Sequence, residues 1–149
     1  MAVTIRKLKK PDLGNGFLES LSALFRIGLT PKKAEAIFKR IKKNPFYRIF
    51  VAEMNGKIVG VVTLLIEQKF LLKGARFSYL EDMAVHKDFQ GKGIGKMLVQ
   101  AAIEEANKEK CLNVRLDCND ETAPFYEKSG FQIKHHVNRM QINLRSVKM

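Results

Sequence analysis

Leu80-Glu81-Asp82-Met83-Ala84-Val85, followed shortly by Gln90-Gly91-Lys92-Gly93-Ile94-Gly95-Lys96, is the stretch that decides the fold. Residues 78–85 read as a strand. Residues 95–108 read as an amphipathic helix, with Met97, Leu98, Ala101, Ala102 and Glu105 turned to one inward face. The glycines fall between them, where the helix begins. A helix start has backbone N–H groups without intrahelical partners and sits at the positive end of the helix dipole. Such a terminus holds phosphate, and glycine lets a ligand come close because no Cβ intervenes. Lys92 and Lys96 add positive charge. The loop thus reads as a phosphate cradle.

Two better-known glycine motifs do not fit. A Walker A loop requires Ser or Thr after its Gly-Lys, and Met97 follows Lys96. A dinucleotide fingerprint requires its third glycine at position 96, which is lysine. What remains is Gln-x-x-Gly-x-Gly directly after a strand. Taken alone, that hexapeptide also fits a turn that merely caps a helix.

Outward from the cradle the chain is punctuated clearly. Residues 4–8 form a strand. Pro11-Asp12 opens a helical segment with an apolar stripe of Phe17, Leu18, Leu21, Leu24 and Phe25, ended by Gly28. Thr30 caps the next helix with Pro31 at its first position. That helix buries Ala34, Ile37, Phe38 and Ile41, and Asn44-Pro45 stops it. Residues 48–53 and 57–67 form a hairpin about Asn55-Gly56. A basic loop spans 69–76. After the long helix come a strand at 112–118, a short helix at 123–129 ended by Gly130, and a closing hairpin from 131–134 and 137–144. The expectation is one α/β domain over residues 1–149, a mixed central sheet flanked by helices.

Composition bounds the function. The chain has 149 residues, 46% of them hydrophobic, enough for a core. A net charge of +12 suits anionic partners such as CoA, phosphorylated metabolites, nucleic acid or an acidic membrane surface. Cys111 and Cys118 match no zinc or disulfide spacing, and they read as reduced and partly buried. No apolar run approaches the roughly 20 residues that span a bilayer. With no signal peptide visible, a cytoplasmic location is expected. His86, His135 and His136 read as surface or turn residues, and no metal is expected.

Leu80–Val85 with Gln90–Gly95 resembles the acetyl-CoA signature of the GNAT superfamily. Ala123-Pro124-Phe125-Tyr126-Glu127-Lys128-Ser129-Gly130-Phe131 resembles its second signature. Glu81-Asp82, Leu116-Asp117-Cys118, Phe125-Tyr126-Glu127-Lys128, Ile66-Glu67-Gln68-Lys69-Phe70 and Met140-Gln141-Ile142 are similar to glucosamine 6-phosphate N-acetyltransferases over residues 48–144. The resemblance implies a GNAT acyl-CoA N-acyltransferase fold, splayed at the acetyl-CoA site by a bulge in the strand before the cradle. It implies acetyl transfer from acetyl-CoA to the amino group of glucosamine 6-phosphate. Backbone around Met83, Ala84 and Val85 would hold the thioester oxygen and pantetheine arm. Gln90, Gly91, Lys92, Gly93, Ile94, Gly95 and Lys96 would hold the pyrophosphate. Tyr126 would protonate the leaving thiolate, and Asp117 would orient the amine. Glu81 and Asp82 would bind the sugar. Adjacent strand residues ordinarily point to opposite faces, so both reach one ligand only through a bulge or backbone contacts. Without the resemblance, Tyr126 reads as a packing residue beside Phe125.

The sugar phosphate needs cations. Lys69 matches the family's Lys-Phe segment, with Lys73 and Arg76 nearby. The chain departs from the family at Asn143, where the family has arginine, although Arg139 and Arg145 flank it. It departs again at Leu24-Phe25-Arg26, where the family has a threonine and Arg26 could serve instead. The resemblance also implies a homodimer completed by the C-terminal strand, and the alternation Val137, Met140, Ile142, Leu144 is compatible with this or with a monomer edge. Two other readings stand beside it. One is the same chemistry on a protein N-terminus or polyamine. The other is a basic nucleic-acid module using the lysines of 32–43, which lacks any recognition motif or aromatic platform.

Overall fold

The computed structural model describes residues 2–146. A single sheet of order β1-β2-β3-β4-β5 organises the first of two units, Met1–Leu116. β1 (Val3–Lys7), β2 (Tyr47–Met54), β3 (Lys57–Gln68) and β4 (Arg76–Val85) pair antiparallel in sequence, and β5 (Cys111–Arg115) joins β4 parallel. The hairpin turns at Asn55 and Gly56, whose φ values of 52° and 74° are the left-handed pair that a two-residue hairpin needs. The parallel step from β4 to β5 requires a crossover, supplied by the long helix α4 (Ile94–Lys108).

Two helices precede β2. α1 (Phe17–Leu21) is shorter than its apolar stripe suggests. The Ser22 hydroxyl donates to the Glu19 carbonyl, competing with the helix ladder, and Leu24 and Phe25 stand in solvent at 53% and 60% exposure. α2 (Pro31–Lys42) starts as expected, with Thr30 Oγ1 accepting from Lys33 N at 3.3 Å. Leu71–Gly74 closes into a single tight turn, α3.

Both faces of the sheet are covered. Ile94, Leu98, Val99, Ala102 and Ala106 of α4 are buried. A Cβ on Gly60 would stand 2.9 Å from Leu98 Cδ1, so glycine there lets the helix seat closely. Met97 is exposed, against expectation, because it falls one step of the helical wheel outside that buried arc. On the opposite face Leu13, Phe17 and Ala34 pack with Val51, Ile58, Val61 and Ala84. Arg6 anchors this side by donating to both Asp12 oxygens (2.8 and 2.9 Å) and to Glu53 (2.9 Å). The Arg6 hydrogen bonds hold the Asp12 carboxyl below its ordinary value, although burial opposes them.

The second unit is Asp117–Met149. Asn119 Oδ1 accepts from the Thr122 N–H and hydroxyl, both at 2.9 Å, and so sets the start of α5 (Ala123–Glu127). Gly130 follows at φ 96°. The expected closing hairpin is not formed among the described residues: 131–146 contain no strand. A hairpin with no third strand or helix to cover its apolar face is marginal in water. Val137, Met140, Ile142 and Leu144 stand exposed accordingly. Cys118 is exposed as well, because β5 stops at Arg115. Cys111 is half-buried, and burial raises its thiol pKa.

Candidate active site

The strand before the cradle is bulged. Thr63 pairs with Glu81 and Val61 with Ala84, so Asp82 and Met83 together oppose Val62. Asp82 takes φ 49°, a left-handed conformation that aspartate tolerates better than most residues. Glu81 lies on the face of its cross-strand partner Thr63, and Asp82 joins Thr63 and Val61 in lining one cavity. The extra residue therefore turns both acids toward one side of the sheet, which a regular strand forbids.

β4 is also open on its other edge, because β5 ends at Arg115. Pairing with β5 reaches only Tyr79, so residues 80–85 run on without it. His86 N donates to Val59 O at 2.8 Å, whereas Val85 O accepts from Gln90 Nε2 at 3.0 Å. Alternation along a strand then turns the Val85 N–H away from β3, and the Met83 N–H with it. These donors face the gap left by β5. Through its bond to Val85 O, the Gln90 side chain also braces the loop against the strand end.

The cradle follows through the one-turn 3-10 segment Lys87–Phe89. Gly91 (φ 77°) and Gly93 (φ 81°) are left-handed, and a Cβ on either would meet no protein atom within 4 Å. Gly93 is the N-cap of α4 and brings no side chain to the first-turn N–H groups of Ile94, Gly95 and Lys96. Lys92 and Lys96 are exposed beside them. The loop is thus open space bordered by amides and lysines, suited to an anionic group.

A cavity of about 710 Å³ lies between α1, α2 and the sheet and reaches Asp82. Phe17, Leu21, Phe38 and Tyr47 line it, and Thr63 is its polar contact near the bulge. Sequence reasoning missed Tyr47 and Thr63, since nothing local marks a strand residue that faces a cavity. The expected phosphate cations are largely engaged. Lys69 forms an ion pair with Glu67, which holds that carboxyl below its ordinary value, and lies near the Phe77 ring. Arg76 pairs with Glu109 at 2.9 Å. Arg26 and Lys73 do not line the cavity that reaches the bulge.

In the second unit Tyr126 is half-buried between Phe125 and Phe131, with ring centroids 4.9 and 5.9 Å away. Burial raises its phenol pKa, with negative charge on Cys118 adding to it. Asp117 is exposed and lies 3.7 Å from Arg139. Among the described residues, no group of three His, Cys, Asp or Glu side chains is placed to hold a metal ion.

Comparison with known proteins gives the arrangement its context. The Acetyltransferase (GNAT) family model matches residues 15–131. A glucosamine 6-phosphate N-acetyltransferase of Arabidopsis thaliana is 33% identical over 134 residues, covering 87% of this chain and 90% of its own. One from Candida albicans is 30% identical over 132 residues, covering 87% and 89%. The crystal structure of glucosamine-6-phosphate N-acetyltransferase from Arabidopsis thaliana superposes with a TM-score of 0.90 at 32% identity, across 97% of this chain and 100% of that one. With the bulged strand, the glycine cradle and the sheet order in place, the chain belongs to the GNAT acetyltransferase family.

Proposed function

We propose that this enzyme transfers acetyl from acetyl-CoA to the 2-amino group of D-glucosamine 6-phosphate, giving N-acetyl-D-glucosamine 6-phosphate and CoA on the route to UDP-N-acetylglucosamine. The observation that supports this most is the bulge at Asp82, which puts two acids on one face beside the glycine cradle. Two adjacent carboxylates suit an acceptor rich in hydroxyls that also carries an amine. The relatives named for this reaction support the same reading.

The amine nitrogen bonds to the thioester carbon as the carbon–sulfur bond breaks. Negative charge gathers first on the carbonyl oxygen, and the Met83 and Val85 N–H groups are the donors for it. Ala84 completes that strand segment along the pantetheine arm. Gln90 through Lys96 hold the pyrophosphate. Tyr126 gives its proton to the departing sulfur and regains one through solvent from the proton that the amine nitrogen sheds as the amide forms; its raised pKa keeps the phenol protonated at neutral pH. Asp117 orients the neutral amine. Glu81 and Asp82 accept from the sugar, and Lys69 binds its phosphate after exchanging Glu67 for the ligand. Residues 1–149 act as one catalytic domain in the cytosol. Exposed Val137, Met140, Ile142 and Leu144 support pairing of that segment with a second copy in a homodimer.

A second reading, transfer to a different amine, draws on the apolar lining of the cavity at Asp82. CoA release measured separately with glucosamine 6-phosphate, glucosamine and a short peptide tests the choice. Turnover restricted to the peptide would overturn the sugar-phosphate assignment.

A further inference from the structure

β3 is apolar from Ile58 to Ile66 except at Thr63, the one polar side chain in that stretch. Thr63 is only 7% exposed. A threonine buried in a strand normally gives its hydroxyl a protein partner, because a hydrogen bond left unmade in the interior costs stability. Among the described residues the Thr63 hydroxyl has none. Nor is it sealed off, since no side-chain oxygen among the described residues is both fully buried and unpartnered. The hydroxyl therefore meets open space. That space is the cavity of about 710 Å³ that Thr63 lines together with Asp82.

The sheet register places this hydroxyl beside both acids. Thr63 stands directly opposite Ile49 on β2 and Glu81 on β4. Side chains opposed in this way keep their Cβ atoms about 4.5–5.5 Å apart. The next pair along β3 is Val61 with Ala84, and the bulge between the two pairs brings Asp82 to the same cavity. The neighbours of Thr63 in the cavity floor, Ile49 and Val61, are apolar. Valine has nearly the shape of threonine and suits a packed strand at least as well, and it occupies positions 59, 61 and 62. Packing alone gives no reason for a hydroxyl at position 63.

The acids leave a chemical gap that this hydroxyl fills. Ionised carboxylates only accept hydrogen bonds. A sugar hydroxyl that donates to Glu81 or Asp82 still carries lone pairs that need a donor, and Thr63 has one to offer. We infer that Thr63 is a specificity-determining contact to the acceptor sugar: its hydroxyl donates to a ring hydroxyl that one of the two acids holds. The inference rests on the sugar-phosphate reading of the site and adds to it a selection by hydroxyl pattern. A site built to hydrogen-bond a substrate hydroxyl rejects the analogue that lacks it, because the protein group is then left unpaired. Thr63 sits on the β3 side of β4, away from the Met83 and Val85 N–H groups. A contact there is made alike before and during acyl transfer, so it acts on KM rather than kcat.

Steady-state kinetics of the full-length chain with glucosamine 6-phosphate and its 1-, 3- and 4-deoxy analogues, on wild type and Thr63→Val, form a double-mutant cycle across the contact. Thr63→Val should raise KM for glucosamine 6-phosphate about fivefold to twentyfold, with kcat and KM for acetyl-CoA held within about twofold. One of the three analogues should be discriminated against by wild type and no longer by Thr63→Val. Thr63→Ala, which also lacks the hydroxyl, should lose the same discrimination, so the result does not hang on how one variant packs. Thr63→Ser keeps the hydroxyl and should stay near wild type. The melting temperature of Thr63→Val should hold or rise, since no protein hydrogen bond is lost. An unchanged KM in Thr63→Val, or additive effects for all three analogues, overturns the inference while leaving the acceptor assignment in place. Absence of wild-type turnover of glucosamine 6-phosphate overturns the sugar-phosphate reading and this inference with it.

Discussion

Gly93→Ala separates what the cradle does for the ligand from what it does for the fold. At φ 81° an alanine is strained, by about 1–2 kcal/mol for a left-handed residue. Its methyl group would meet no protein atom within 4 Å, so no clash adds to that strain. The methyl instead occupies the space in front of the α4 amides. Loss of one hydrogen bond to a charged phosphate is worth about 1.5–3 kcal/mol, or roughly tenfold to a hundredfold in affinity. Titration calorimetry with CoA should show that weakening, and KM for acetyl-CoA should rise with it while KM for the acceptor holds. Gly16→Ala is the control. There the new Cβ would stand 2.1 Å from the Ile58 carbonyl oxygen at φ 103°, so backbone must move and the melting temperature should fall sharply. Any folded Gly16→Ala protein should bind CoA normally. Wild-type CoA affinity in Gly93→Ala would refute the cradle.

Three further outcomes are expected. Tyr126→Phe should lower kcat by roughly 10²–10⁴-fold with little change in KM for acetyl-CoA, and the wild-type alkaline limb should lie above the ordinary tyrosine range, since burial raises this phenol; stopped-flow pH profiles check both. Asp82→Asn keeps a residue that tolerates φ 49° but removes the charge, so it should raise KM for the amino sugar about tenfold without changing the melting temperature by more than a few degrees. Asp12→Asn should destabilise by about 2–3 kcal/mol in urea titrations near neutral pH. Because the folded-state pKa of Asp12 is depressed, its contribution is present above the ordinary aspartate range and is lost as pH falls through the lower folded value, so wild type and variant should converge in acid.

Features set by local chemistry were legible in the sequence. Asn55-Gly56 turns the hairpin, Thr30-Pro31 starts α2, and Gly93 starts α4, each through a conformation that its own residues prefer. The bulge at Asp82 was expected from the resemblance alone, because it exists only through the register with β3, and no residue within β4 announces it. Lys69 and Arg76 read as free cations, yet they pair with Glu67 and Glu109; the second partner is distant in sequence and unreadable from local pattern. Residues 137–144 show strand alternation but no strand, since alternation records a preference and pairing needs a neighbour. The left-handed turn at Leu72 and Lys73 had no signal beyond the following glycine.

The central claim is tested most directly by incubating the protein with acetyl-CoA and glucosamine 6-phosphate and following both products, free thiol by colorimetry and the N-acetyl resonance by NMR. The account predicts one CoA released for each acetyl group placed on the 2-amino nitrogen, and a much lower rate with glucosamine lacking the phosphate. CoA release with no N-acetylated sugar, or equal rates for the two acceptors, would contradict it.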